Sequence, residues 1–370
     1  MSPWVDQLEP SPVPWLIERA CAPIQYRTLT EILRRKADDW DVQRAKERVY
    51  AYEPAVTISR SQQSVGTWLD KVLEFEPPNP SRKRGPGMVN QFLALVEYGW
   101  ELSHPILHCS EQLLFQYLDP NAQVELFELN AYRIHKPDAE RALRGTLARI
   151  AAALLARAGS NDPRLAAFGA QFLDELDAQY KDPATPPIYD GEIEIPEDGR
   201  YRRLRGDVIP IDMFALYLMS YLPDFRTSRG RDVASRAVRH LFVTSGEPRL
   251  LLEVDGKRLL RLRLPRIFDL GQAEFAEQKL GYLLHDLELL ARTGTLLEHE
   301  KAKALLQWVV SLRQDDGVLR PNHEIEKAMT PSQYHYFPLE ESWRGKHKKF
   351  TDVTFRALLT LTLLDRAETG

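Results

Sequence analysis

Apolar side chains recur at helical spacing along most of this chain. The clearest stretch begins at about Gln272 and ends at Gly294, with apolar residues at every third or fourth position. Those residues are Phe275, Leu280, Leu283, Leu284, Leu287 and Leu290. Because glycine commonly ends helices, the pattern predicts one amphipathic helix that stops at Gly294. Further helices are predicted over 15–33, 88–98, 105–118, 139–158, 163–180, 212–222, 231–244, 298–313 and 350–366.

Two short parts of the chain alternate instead at the period of a β-strand. Residues 192–195 and 201–204 flank one Asp-Gly pair, and residues 250–254 and 257–264 flank another. Asp-Gly favours the tight turns that join antiparallel strands. The sequence therefore predicts two β-hairpins within an otherwise helical chain.

The predicted helices are of two kinds. The stretch MFALYLMSYL has almost no polar face, which is typical of a helix buried on most sides. Its successor, 231–244, is amphipathic, and this alternation of a buried and a surface helix recurs along the chain. The predicted inner helices lie near 88–98, 211–222, 272–293 and 351–365. Such pairs can close into a ring or stack as a linear solenoid, and periodicity alone does not separate the two.

The composition is that of an ordinary globular protein. Of 370 residues, 44% are hydrophobic and 28% are charged, and the net charge of -4 offers no basic excess for binding phosphates. We therefore expect no nucleic-acid partner. No apolar run approaches the roughly 18 residues of a transmembrane helix, so no membrane-spanning segment is expected.

Two further observations favour a cytoplasmic protein. Cys21 and Cys109 are the only cysteines, too few for a disulfide framework and compatible with a reducing compartment. The opening MSPWVDQLEPSPVPW carries acids and prolines in place of a basic start and an apolar run, which does not fit a signal peptide.

Three parts of the chain resemble a known family. PSPVPWLIERACAPIQYRTLTEILRR resembles the P-W-L-x-x-x-x-P-x-x-R-Y-x-x-L-x-x-L-L opening of a bacterial group of α/α-toroid proteins labelled prenyltransferase-like or terpenoid-cyclase-like. KRLLRLRLPRIFDLG stands where that group has R-L-R-F-P-x-x-x-x-Y-D. SLRQDDGVLRP and WRGKHKKFTDVTFRALLTL resemble its Asp-Gly-containing repeat and its closing helix.

The resemblance implies a barrel of helix pairs whose inner helices begin around a central cavity. The group has no generally assigned reaction, and this chain departs from it at 268–270, 318–319 and 350–351. Pattern and resemblance together predict a single all-α domain over 1–370, an α/α toroid with short β-hairpin insertions. We expect a proline-rich lead at 1–13 and an aromatic, basic, lid-like segment at 317–349.

The motifs of the known enzymes on this fold are absent. The chain has no D-x-D-D run for acid-initiated cyclisation and no Cys-His-Gly for a zinc site, and it lacks glycine-rich phosphate loops. His104 and His108, with Glu111 near, have spacing that suits a metal, but two surface histidines at a helix start explain the pattern more simply. We expect no metal and no cofactor.

The candidate site residues precede or begin the predicted inner helices, where backbone N–H groups point towards the mouth of a ring. The candidates for acid or base catalysis are Asp207, Asp212, Asp269 and Asp352. The candidates for substrate binding are Asn90, Gln91, Arg263, Arg266, Gln272 and, from the lid-like segment, Trp343. Helix capping and ion pairing between helices explain the same residues, and the sequence leaves both readings open.

Three functions stay open at this point. The first is a terpenoid-cyclase-like or prenyltransferase-like protein that binds a hydrophobic or isoprenoid substrate in a central cavity. The second is a non-catalytic scaffold for a ligand or a protein. The third is a carbohydrate-active enzyme on an α/α barrel, which needs two carboxylates facing each other across the cavity, such as Asp207 or Asp212 against Asp269 or Asp352.

Overall fold

The computed structural model describes residues 4–68, 87–119, 121–122, 137–181, 189–195, 199–204, 208–244, 249–254, 257–263, 280–321 and 338–369. Most of these residues are helical, which confirms the mostly helical class. Within the described ranges, no helix combines the length and the apolar character needed to cross a membrane.

The elements follow the predicted order. The α-helices are α1 Val13–Arg19, α2 Ala22–Arg27, α3 Trp40–Tyr50, α4 Glu53–Arg60, α5 Met88–Glu97, α6 Pro105–Leu118, α7 Pro137–Arg157, α8 Pro163–Gln179, α9 Met213–Tyr221, α10 Ser228–Thr244, α11 Leu280–Thr293, α12 Glu300–Ser311 and α13 Lys348–Thr369. The strands are β1 Tyr189–Ile195, β2 Gly199–Leu204, β3 Arg249–Val254 and β4 Lys257–Arg263. Short 3-10 turns lie at Trp4–Leu8, Pro223–Arg226 and Leu296–Glu298.

The chain divides into two compact units. The first comprises residues 1–61, 94–101 and 270–370, and the second comprises residues 62–93 and 102–269. The expectation of a single domain over 1–370 stays a prediction.

Helices α11 and α13 form the centre of the first unit and pack along each other. Every residue from 351 to 362 is buried, as is nearly every residue of α11. The described part of α11 begins at Leu280, and the predicted start near Gln272 lies outside the described residues. The helix ends as predicted, because the Thr295 amide donates to the Leu290 carbonyl across Gly294.

The predicted helix over 15–33 is wrong as one continuous element. It is broken between α1 and α2, where Ala20 and Cys21 are extended, and it closes in a π-helical turn at Thr28–Ile32. The reason is Pro23, which has no amide hydrogen to continue the α1 ladder but fits the first turn of a new helix.

The described residues of the second unit form a four-stranded sheet, in the order β1-β2-β3-β4. Both hairpins form as predicted, with antiparallel pairing of β1 with β2 and of β3 with β4. The periodicity did not predict that the hairpins join: β2 and β3 run parallel, with Arg202 opposite Leu250. Tyr201, Leu251 and Ile193 pack together on this sheet. Beside it, α7 packs between α6 and α9.

A tight turn in the first unit holds the N-terminal segment. Gly317 has a φ of +76°, and the Gln314 amide donates to the Val318 carbonyl at 3.0 Å. A β-carbon at Gly317 would clash with the Pro10 carbonyl oxygen and would lie 2.6 Å from that of Leu8. The glycine therefore provides both the left-handed turn and the space for the 8–10 backbone.

We expect Gly317→Ala to lower the free energy of unfolding more than Gly294→Ala does. Both glycines have positive φ, +76° and +77°, but a β-carbon at Gly294 meets no atom within 4 Å. The strained conformation alone costs about 1–2 kcal/mol at Gly294, and the clash at Gly317 adds about 1–3 kcal/mol. Urea unfolding measures both. Equal losses would show that the 8–10 segment does not depend on this turn.

Candidate functional site

Asp212, a predicted catalytic residue, lies at the start of α9 in the second unit. Its carboxylate accepts a hydrogen bond from the Ala215 amide at 2.9 Å and pairs with the Arg149 guanidinium at 3.1 Å. The residue is 1% exposed. The observed contacts are those of a helix cap and a buried ion pair, which is the structural reading that the sequence left open.

Asp352 and Trp343, two predicted site residues from separate segments, lie together in the first unit. The Asp352 carboxylate accepts hydrogen bonds from the Leu339 amide at 2.9 Å, the Glu340 amide at 3.1 Å and the Trp343 indole at 2.8 Å. Asp352 is fully buried. The carboxylate thus fastens the segment around 339–343 to α13.

The other predicted site residues are distributed as follows. Asn90 and Gln91 lie in the first turns of α5, where Asn90 is buried and Gln91 is half-buried. Arg263 ends β4, and nothing is described of its side chain. Asp207, Asp269, Arg266 and Gln272 lie outside the described residues. The prediction that these residues converge on one cavity stays a prediction.

A small acidic cavity of about 340 Å³ lies beside the Asp352 cluster. Its lining residues are Glu53, Pro54, Thr57, Tyr98, Pro338, Glu340 and Glu341. Glu340 is already engaged, because it accepts hydrogen bonds from the Cys21 amide and the Thr351 hydroxyl and pairs with Lys348 at 2.9 Å. Burial, followed by the Asp352 charge, raises the pKa of the Tyr98 phenol, so the phenol stays protonated.

A network of mostly buried charged side chains also lies in the first unit. Arg356 donates to Glu97 at 2.6 Å and to Glu288 at 2.8 Å, and Arg27 pairs with Glu97 at 2.7 Å. Arg292 bridges Glu288 and Glu31, each at 2.9 Å. The six side chains carry three positive and three negative charges. They neutralise one another, so we assign them a structural role.

Glu288 shows how strongly this cluster acts on one carboxyl. Burial by itself would raise its pKa, but Arg292 and Arg356 outweigh burial and lower the pKa from 4.5 to about 2. The carboxylate is therefore ionised throughout the physiological range.

A second cavity, of about 480 Å³, lies in the second unit where α6 ends and α7 begins. Its lining residues are Tyr117, Leu118, Asp119, Pro137, Glu140, Arg141, Arg144, Gly145 and Ala148. The volume lies within the range typical of small-molecule sites, roughly 300–1,000 Å³. We refer to it as the α6–α7 cavity.

Gly145 is an exposed lining residue of the α6–α7 cavity. It lies in the middle of α7, and a β-carbon there would meet no atom within 4 Å. Glycine inside a helix costs about 0.5–1 kcal/mol relative to alanine, so its presence is not explained by helix stability. It leaves room beside the helix that any larger side chain would occupy.

Sequence reasoning missed both the buried ion cluster and the α6–α7 cavity. A usable signal existed for the first, because Glu288 and Arg356 interrupt apolar runs in LLHDLELL and FRALLTL. A weaker signal existed for the second, the single glycine inside the alanine-rich pattern of α7. Among the described residues, no group of three or more His, Cys, Asp or Glu side chains is arranged to hold a metal. The His104 ring caps α6 by accepting from the Ile106 amide at 3.3 Å.

We expect Glu288→Gln to lower the free energy of unfolding by about 3–5 kcal/mol, because it leaves Arg356 and Arg292 buried with a missing partner. Asp138→Asn removes an exposed pair with Arg141 and serves as the control, with a loss of about 1 kcal/mol or less. Because the pKa of Glu288 is lowered on folding, its contribution is complete above about pH 4.5 and is lost as the pH falls towards 2. The difference between wild type and Glu288→Gln in denaturant unfolding should shrink over that range. A difference that does not change with pH would exclude this role.

We expect the Cys21 thiol to resist thiol reagents until the Asp352 anchor is weakened. Cys21 is 8% exposed and its thiol donates to the Leu339 carbonyl at 3.3 Å; burial, with the charges of Glu340 and Asp352, raises the thiol pKa. In a Cys109→Ser background, Asp352→Asn should accelerate the reaction with Ellman's reagent at least about tenfold, a difference of about 1.4 kcal/mol in local opening. Asp316→Asn, which alters the distant turn at Gly317, should leave the rate unchanged. Equal rates in all three forms would show that Asp352 does not secure the covering segment.

The comparisons with known proteins identify no relative of this chain. Comparisons of the chain with protein-family models, with curated proteins and with solved structures return no match.

Proposed function

We propose that this chain is an α/α-toroid protein, similar to the terpenoid-cyclase-like group, that binds a hydrophobic, isoprenoid-like small molecule. The ligand site that we propose is the α6–α7 cavity. Neither of the described candidates Asp212 and Asp352, whose carboxylates hold neighbouring segments in place, lines this cavity.

The burial of individual helices supports the toroid. The four helices that the sequence predicts as inner members are α5, α9, α11 and α13. Each is buried on nearly all faces along the predicted stretch, as the inner helices of a ring must be. Amphipathic helices follow two of them in the chain, α10 after α9 and α12 after α11.

The observation that carries the ligand proposal is the open space beside Gly145. An unfilled space of about 480 Å³, whose lining includes Leu118, Pro137, Ala148 and Tyr117, suits an apolar molecule. Burying apolar ligand surface in such a space contributes about 25 cal/mol for each Å² removed from water.

A non-catalytic role is the second candidate, and the rim of the cavity favours it. Its carboxylates are Asp119 and Glu140, and Glu140 is already paired with Arg144 at 2.8 Å. A cyclase would need a buried acid facing the substrate, whereas Asp119 is exposed and Glu140 is half-buried and ion-paired. We therefore propose binding, and we leave conversion of the ligand to the experiment.

We expect Gly145→Phe to abolish ligand binding and Gly145→Ala to preserve it. The phenylalanine ring would fill the cavity, whereas the alanine methyl meets no atom within 4 Å and should raise the free energy of unfolding by about 0.5–1 kcal/mol. Native mass spectrometry with organic extraction identifies co-purifying molecules, and titration with the neutral apolar dye Nile red measures the cavity directly.

Saturable dye binding in wild type and Gly145→Ala, reduced at least about tenfold in Gly145→Phe, would support the site. Equal binding in all three proteins would place the ligand elsewhere, and no binding in any would exclude a hydrophobic-ligand protein. A bound molecule recovered chemically unchanged after incubation would favour the non-catalytic role, and a changed one would favour the enzyme.

A further inference from the structure

The two arginines at the rim of the α6–α7 cavity are already paired with carboxylates of α7. Arg144 donates to the Glu140 carboxylate at 2.9 Å and to the Ala122 carbonyl at 3.4 Å. Arg141 lies 3.4 Å from the Asp138 carboxylate. Both arginines therefore have anionic partners from the chain itself. The lining carries two positive and two negative side chains, and Asp138 beside it adds a further negative charge.

The helix termini at this cavity act in opposite directions. The N-terminus of α7 carries a partial positive charge that would attract an anion. The carboxylates of Asp138 and Glu140, in its first turn, already offset that charge. The end of α6 presents carbonyl oxygens and is followed by Asp119. A ligand with several negative charges would have to displace existing carboxylates and approach a further one.

Asp119 offers the acceptor that a polar ligand end would need. Its exposed carboxylate lines the cavity and accepts a hydrogen bond from the Asn121 amide at 2.9 Å. A carboxylate has about four acceptor positions, so it can accept further O–H or N–H donors. A hydroxyl donates to a carboxylate and brings no charge of its own to the rim.

We infer that the ligand of this cavity is an uncharged apolar molecule ending in a hydroxyl group, which donates to the Asp119 carboxylate, and not a phosphorylated or diphosphorylated one. The inference rests on the proposed function and narrows it from hydrophobic molecules in general to neutral alcohols. Apolar contact with Leu118, Pro137 and Ala148 supplies the affinity, and Asp119 fixes the orientation.

Three probes of matched carbon skeleton test the inference: farnesol, the corresponding hydrocarbon farnesene, and farnesyl diphosphate. Each competes with Nile red in wild type, Asp119→Ala, Arg141→Ala and Gly145→Phe. We expect farnesol to bind about tenfold more tightly than farnesene, and Asp119→Ala to remove that difference, because one hydrogen bond to a charged group is lost. Arg141→Ala should change the farnesol affinity by less than about twofold, since a neutral ligand gains little from that charge.

Three kinds of result would overturn the inference, and they separate it from the proposed function. If farnesyl diphosphate binds more tightly than farnesol, weakens with added salt and loses affinity in Arg141→Ala, the site selects anions and only this inference fails. If all three probes bind wild type and Gly145→Phe alike, or if none of them binds, both this inference and the proposed function fail. Retained farnesol preference in Asp119→Ala would exclude Asp119 as the acceptor.

Discussion

The buried cluster of Arg27, Glu97, Glu288, Arg292 and Arg356 is the interaction on which the first unit depends most. It joins α2, the end of α5, α11 and α13, and every charged group in it has at least one opposite charge within 4.0 Å. Such groups add little net stability compared with apolar residues of the same shape. Removing any one of them, however, leaves its partner buried without an opposite charge, which lowers the free energy of unfolding strongly. The cluster therefore constrains the geometry: the four segments must align closely enough to keep its five charged groups paired.

The sequence predicted local structure well where a local cause exists. The helix end at Gly294 and both hairpins follow from short-range chemistry, and the structure confirms them. The break at Cys21 was missed although Pro23 signals it, because the apolar spacing continues across the proline. The parallel pairing of β2 with β3 has no local signal at all, since it depends on how α9 and α10 return the chain to the sheet. The closed ring stays a prediction for the same reason.

The candidate site shows a sharper limit. Polar residues at helix starts were natural candidates for a site. In the structure, the Asp212 carboxylate caps a helix and the Asp352 carboxylate anchors a neighbouring segment. The sequence spacing is the same for a capping residue and for a catalytic residue, so it does not separate the two roles. A cavity forms where no side chain fills the space between packed elements. The periodicity of apolar residues predicts which side chains face the core, but it does not predict where space is left unfilled. Gly145 could be noticed as a glycine inside a helix, yet nothing local reveals that the space beside it is empty. Placing Leu118 and Asp119 across from it requires the packing of α6 on α7.

The parallel pair in the middle of the sheet also determines how the second unit can fold. Each hairpin joins residues that are close in sequence, and β-hairpins form within about 1–10 μs. The pairing of Arg202 with Leu250 must instead close a long loop that contains α9 and α10. Closing this loop costs conformational entropy before the contacts between β2 and β3 contribute any stability. The hairpins are therefore early, independent products of synthesis, each exposing an unpaired strand edge until the two intervening helices have docked. The interval between those events is when this protein is most exposed to strand-to-strand aggregation.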